Sequence, residues 1–368
     1  AKHIITVTED NVAPNINLAI WQQGIQVPSV AINDGEVIVV LSIKDSNVQD
    51  THQINWLIPD YVKAVLSSDE LQLVFPVENM SIPEENKGLI NIIVTVTDSG
   101  STSNSGSEEL SQTKQISLPL LASQQTLRSL DSDRDGISDI NEGFSDEDSD
   151  GLPAYMDNST IAYLQPLHIN AALVKLAETE PGLQLKLGKF ALLQSSDGVE
   201  LSQQEILATG LVEKDTLENT LGYFDFEIHN IVPFGRSVAI VLPLSDAIVE
   251  YSVYRKINGN REWADFAEDS NNIIATSAAV NGVCPPPHSN LYQAGLNIGD
   301  TCLKLFIEDG GANDADGIAN GVIDDPGGIA VVDNNTIALD VTPEQSSSGS
   351  FSFFALFSLL LLRVQRKK

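Results

Sequence analysis

"LINIIVTVTD", residues 89–98, decides the fold class of this chain. β-branched apolar residues recur at alternate positions (Ile90, Ile92, Val94, Val96), with Asn91, Thr95 and Thr97 between them. A two-residue period suits a strand with one buried face. Upstream, "INLAIWQQ" (16–23), "EVIVVLSIKD" (36–45) and "DELQLVFP" (69–76) are β-branched and partly alternating in the same way. Downstream, "DSGSTSNSGSEE" (98–109) reads as a polar hairpin loop and "TKQISLPLL" (113–121) as a closing strand. No long helical period interrupts them. Strands at this spacing predict an all-β architecture, with a β-sandwich over residues 11–122; Trp21 and Trp56 read as core residues, with a ligand surface as the alternative. Residues 1–10, "AKHIITVTED", alternate like the closing strand. They are expected to be the last strand of a preceding repeat in a longer chain.

Outside this segment the charge is the dominant feature. Across 368 residues, 20 Lys and Arg face 51 Asp and Glu, a formal net charge of −31. Such a surface repels nucleic acid and attracts divalent cations. Nucleic-acid binding is therefore excluded. At 42% hydrophobic residues, the chain still has enough apolar material for several folded cores.

The acid is concentrated in "DSDRDGISDINEGFSDEDSDGLPAYMD", residues 131–157. With Asp131 as position 1, Asp133 is 3, Asp135 is 5, Gly136 is 6, Ile137 is 7, Asp139 is 9 and Glu142 is 12. This is the calcium-loop pattern D-x-[DN]-x-[DN]-G-x5-E. Alternate residues of a curled loop point inward, Gly permits the sharp turn, Ile137 offers its backbone carbonyl and Glu142 closes the site. A second copy follows, with Asp146, Asp148 and Asp150 at 1, 3 and 5, Gly151 at 6, Leu152 at 7 and Asp157 at 12. Ala154 at position 9 and the shorter Asp157 predict a weaker or wetter site. The expected cofactor is calcium, held in a connector spanning residues 123–158.

A third Gly/Asp-rich stretch, "NDADGIANGVIDD" (313–325), offers Asp314, Asp316 and Asn320. It reads equally as a calcium site or as a tight turn without metal. Cys284 and Cys302 flank a loop rich in Pro and Gly. An even count in so acidic a chain favours a disulfide, with free thiols or a zinc site using His288 as the alternatives.

Several resemblances attach to these residues. The tandem D-x-D-x-D-G-x-x-D spacing of residues 131–157 resembles thrombospondin type 3 repeats, which implies calcium organising a chain with little apolar core. No amphipathic helices flank the loops, so a calmodulin-like pair is not expected. "INIIVTVTD" with its loop and final strand resembles bacterial immunoglobulin-like domains of the cadherin-like or PKD-like kind. "GYFDFEIHNIVPFGRSVAIVLPL", "YSVYRKINGNREWADF" and "DGGANDADGIANGVIDDPGG" resemble the bacterial choice-of-anchor U domain. That likeness implies a second, β-rich domain over residues 159–342, next to a surface-sorting signal and without known catalytic residues. "SSSGSFSFFALFSLLLLRVQRKK" (346–368) fits that implication. Its largely apolar run of 12 residues, 351–362, would form a short helix of about 18 Å, against a hydrocarbon core of roughly 30 Å. The Ser/Gly stretch, apolar run and basic end of residues 343–368 resemble GlyGly-CTERM signals of Gram-negative bacteria. These imply transient membrane insertion and cleavage by a rhombosortase-like protease. "SSSGS" stands where that family has a Gly pair; PEP-CTERM, the neighbouring type, needs a Pro-Glu-Pro that is absent.

No H-E-x-x-H, G-x-S-x-G, P-loop or dinucleotide fingerprint occurs. The expectation is a non-catalytic, calcium-binding structural or adhesion protein, extracellular or on the outer cell surface, with an unknown surface ligand. The alternative is the accessory, anchoring part of a secreted hydrolase whose catalytic domain lies upstream.

Overall fold

A computed structural model describes residues 11–80, 82, 88–100, 108–169, 171, 174–194 and 196–332. Residues 1–10 and 333–368 fall outside it, and with them the expected preceding strand, the hydrophobic helix and the sorting tail.

The first β unit has nine strands: β1 (Asn15–Gln22), β2 (Ile25–Gln26), β3 (Val30–Ala31), β4 (Glu36–Lys44), β5 (His52–Leu57), β6 (Val65–Leu66), β7 (Gln72–Pro76), β8 (Leu89–Asp98) and β9 (Ser111–Leu121). All five phrases read as strands contribute one. They form a five-stranded sheet ordered β2-β1-β4-β7-β6 and a four-stranded sheet ordered β3-β9-β8-β5. Every pairing is antiparallel except β3 on β9, which is parallel. The alternation of β8 is realised in burial: Ile90, Ile92, Val94 and Val96 are solvent-excluded. They share one core with Val37, Val39 and Leu41 of β4 and Leu73 and Phe75 of β7, which belong to the facing sheet. Gln22 ties the sheets together, its amide donating to the Ala31 carbonyl (2.8 Å) and accepting from the Ala31 N–H (2.9 Å). Trp21 departs from expectation. It falls on the odd-numbered, outward positions of β1 and is 37% exposed, while Trp56 packs partly buried against the core.

Residues 122–163 carry one helical turn, α1 (Asp139–Glu142), and a 3-10 turn at Ala154–Met156. Beyond them lie β10 (Leu164–Pro166), β11 (Leu176–Thr179), β12 (Gln184–Leu187), α2 (Lys189–Gln194), β13 (Glu200–Leu201), α3 (Gln203–Ala208), β14 (Glu218–His229), β15 (Ser237–Pro243), β16 (Ser252–Ile257), β17 (Trp263–Asp265), β18 (Ile273–Ser277), β19 (Gln293–Ala294), β20 (Cys302–Glu308) and β21 (Ile323–Val331). One sheet runs β10-β11-β15-β20-β18-β19 and the other β12-β14-β21-β16-β17, with β13 added on β14. Their inner faces share a second core that includes Phe224, Phe226, Ile240, Leu242, Leu305 and Ile329. Leu152, from the acidic stretch, belongs to that core. The connector is thus packed onto the second unit. Cys284 and Cys302 are joined in a disulfide that closes the loop leading into β20. No helix among the described residues is long and apolar enough to cross a membrane.

Candidate metal centre

The two acidic loops adopt the same local structure. Position 4 has a positive φ in each, 66° at Arg134 and 60° at Ser149, and the glycine at position 6 has a φ of about 99° in each. That conformation suits Gly, which lacks a Cβ. In the first loop the Gly136 N–H donates to Asp131 Oδ2 (3.1 Å) and the Ile137 N–H to Asp135 Oδ1 (2.7 Å). In the second, the Gly151 N–H donates to Asp146 Oδ2 (3.1 Å) and the Leu152 N–H to Asp150 Oδ1 (2.7 Å). These bonds curl the backbone and aim the remaining carboxylate oxygens at one another. Ligand atoms of Asp131, Asp133 and Asp135 lie within 4.8 Å of each other, as do those of Asp146, Asp148 and Asp150.

Several of these oxygens are buried with nothing to bond. They are Asp131 Oδ1, Asp133 Oδ2 and Glu142 Oε2 in the first loop, and both carboxylate oxygens of Asp148 in the second. A buried acceptor without a donor is costly, and like charges around it raise the cost. Burial, reinforced by Asp133, Asp135, Asp131 and Asp139, pushes the Glu142 carboxyl up to about 7. Burial together with Asp157 and Asp146 pushes Asp148 to about 7. Asp157, buried and facing Asp146 and Asp133, is raised to about 6. Burial and the neighbouring Asp146 raise Asp150 well above the usual carboxylate range. Hard oxygen donors, no His or Cys in residues 131–157, and a local excess of negative charge fit a hard divalent cation such as calcium.

Other residues of the two sets have different surroundings. Asp139 accepts from the Ser132 N–H (2.9 Å) and hydroxyl (3.0 Å), so its side chain holds the loop's start. Ile137 is exposed and Leu152 buried; each was expected to act through its carbonyl. The second loop is clamped from outside. Gln184 of β12 donates to the carbonyls of Asp148 and Ser149. Gln165 of β10 and the Leu187 N–H both donate to the Asp150 carbonyl (3.1 and 2.8 Å). From the first unit, Asn17 of β1 accepts from the Ser149 hydroxyl (3.3 Å). The first loop is held by Asn158, donating to the Asp133 carbonyl (3.3 Å), and by Arg134, donating to the Ala171 carbonyl (3.3 Å).

The third stretch is arranged differently. Asp314 accepts from the N–H groups of Gly310 (2.8 Å) and Asp324 (3.0 Å). Asp316 accepts from the Ile318 N–H (2.7 Å) and the Asn320 amide (2.8 Å). Asp314, Asp316 and Asn320 are thus engaged within the turn, and they are not among the convergent acidic groups of the described residues. A group that sequence reading missed is Asp45, Asp50 and Asp98, whose ligand atoms also lie within 4.8 Å. Strand register brings them together, since His52 stands opposite Asp98 and contacts Asp45 at 2.8 Å. Nothing in their spacing announces it.

Compared with known proteins, the chain matches no family model, and no curated sequence is significantly similar to it.

Proposed function

We propose that the chain is a non-catalytic, calcium-binding structural or adhesion protein of a bacterial cell surface, in which calcium rigidifies the connector between two β units. One observation carries this reading: two loops of matching turn geometry at positions 4 to 7 each leave buried carboxylate oxygens without a partner. A divalent cation is the group whose chemistry answers both features. The residues that would hold it are Asp131, Asp133, Asp135 and Glu142 in the first loop, and Asp146, Asp148, Asp150 and Asp157 in the second.

Strand order supports an immunoglobulin-like reading of the first unit. With β4 to β9 taken as strands B to G and β1 as A, the sheets become A-B-E-D and C-F-G. The short β3 then continues A onto the far sheet, parallel to G. The choice-of-anchor likeness of the second unit and the sorting role of the tail rest on the sequence phrases alone. Surface localisation and a rhombosortase-like protease as partner follow from them.

Calorimetric titration of the full chain with calcium, after chelation and dialysis, tests the reading. Two sites are expected, with Asp133→Ala removing one and Asp148→Ala the other. Calcium should also protect residues 123–158 from protease. No binding heat and a digestion pattern indifferent to chelator would overturn the proposal.

A further inference from the structure

Lys256 and Asp325 meet inside the second β unit. They lie on the adjacent antiparallel strands β16 and β21, where Lys256 stands opposite Gly327. Asp325, two residues before Gly327, shares its face of the sheet and is the diagonal neighbour of the lysine. Both belong to the interior, 4% and 0% exposed, and Lys256 Nζ is 2.5 Å from Asp325 Oδ1. Gly327 makes room for this crowding: a Cβ there would meet the Tyr254 hydroxyl at 2.8 Å. Two polar atoms of the pocket, Asp325 Oδ2 and the Tyr254 hydroxyl, are buried without a hydrogen-bond partner. Phe226 stands opposite Asp325 and Phe266 lies edge-on to Tyr254 at 5.9 Å, while the carboxyls of Asp324 and Asp314 are near enough to feel Lys256 and that of Asp225 to feel Asp325.

An ammonium and a carboxylate held this way lose hydration that their mutual attraction only partly returns. Moving the proton from Nζ to the carboxyl removes both charges, leaving a nucleophilic amine against a neutral acid. Burial pushes the Asp325 carboxyl upward against the pull of Lys256. Aspartate has a competing route, attack on its own carboxyl by the N–H of the next residue. Here the next residue is Pro326, which has no N–H. The lysine has no such rival.

We propose that Lys256 and Asp325 condense into an intramolecular amide bond that covalently staples β16 to β21. The lone pair of Nζ forms the C–N bond at Cγ of Asp325. The tetrahedral carbon then expels one carboxyl oxygen as water, which carries away the acid proton and one proton from nitrogen. No oxidant or cofactor enters the balance. The product buries an amide in place of two charges.

Mass spectrometry of the reduced, trypsin-digested full chain decides it. The peptides carrying Lys256 and Asp325 are expected as one branched species, lighter than their sum by one water and uncut after Lys256. Lys256→Arg keeps the charge but removes the nucleophile, so the two peptides should then separate at full mass. Separate, full-mass peptides from the folded wild-type protein would overturn the proposal. A branched species that persists in Lys256→Arg would overturn it equally, because another amine would be the donor.

Discussion

Asp148 states the electrostatic problem of the second loop in a single side chain. Both oxygens are buried, neither is bonded, and burial with Asp157 and Asp146 nearby raises the carboxyl from 3.8 to about 7. Asp157, raised from 3.8 to about 6, shares the condition. In the calcium-free fold these groups keep protons that the unfolded chain has already released. These two groups therefore contribute stability to the calcium-free protein that is fully present below the unfolded values and is lost as pH rises through about 6 to 7. Calcium needs the same groups as carboxylates, so its binding must expel their protons. Titrations near pH 6 in two buffers of different ionisation heat should show proton release that fades at alkaline pH. Equal heats in both buffers at the acidic pH would contradict this account.

At the scale of elements, the two loops share a conformation but have different supports. The first is held mainly by its own helical turn and Asn158, whereas the second is clamped to β10 and β12 through Gln165, Gln184 and Leu187. Gln184→Ala removes bonds to two consecutive carbonyls of the second loop. At about 1 kcal/mol for a hydrogen bond, calcium affinity there should fall on the order of tenfold, with the first loop unchanged. Calorimetry resolving both sites checks this, and an equal drop at both would show that the clamp serves the whole connector. Much of this layer was legible in the sequence. β8 announces itself because its alternation matches its burial, and the loops because their carboxylates and glycines are spaced along a few residues. What was illegible depends on partners far away in the chain. Asp45, Asp50 and Asp98 converge only through the β5–β8 register. Lys256 sits in "YSVYRKI", where a charged residue reads as outward-facing, and only the pairing with β21 turns it inward. Trp21 is the reverse case, an aromatic that the phase of β1 places outside.

The whole molecule carries −31 at neutral pH, and ten of its 51 acidic residues crowd into residues 131–157. Self-repulsion of this size opposes the compact state and is weakened by salt, whose Debye length falls to roughly 8 Å at physiological ionic strength. Monovalent salt should therefore raise the thermal midpoint of the chelated protein, and raise it less once calcium has neutralised the loops. Thermal unfolding at low and high salt, with and without chelator, gives both slopes; identical slopes would mean that the loops contribute little to the repulsion.

Strand β21 lies in the interior of its sheet, flanked by β14 and β16 and antiparallel to both. Tension on the polypeptide past Val331 runs lengthwise along that strand. A strand at a sheet edge can be peeled away one bond at a time, but β21 can leave only by sliding against two ladders together. The direction of pull thus loads many hydrogen bonds in parallel, and this unit should resist traction from its C-terminal side far better than its thermal stability alone would suggest.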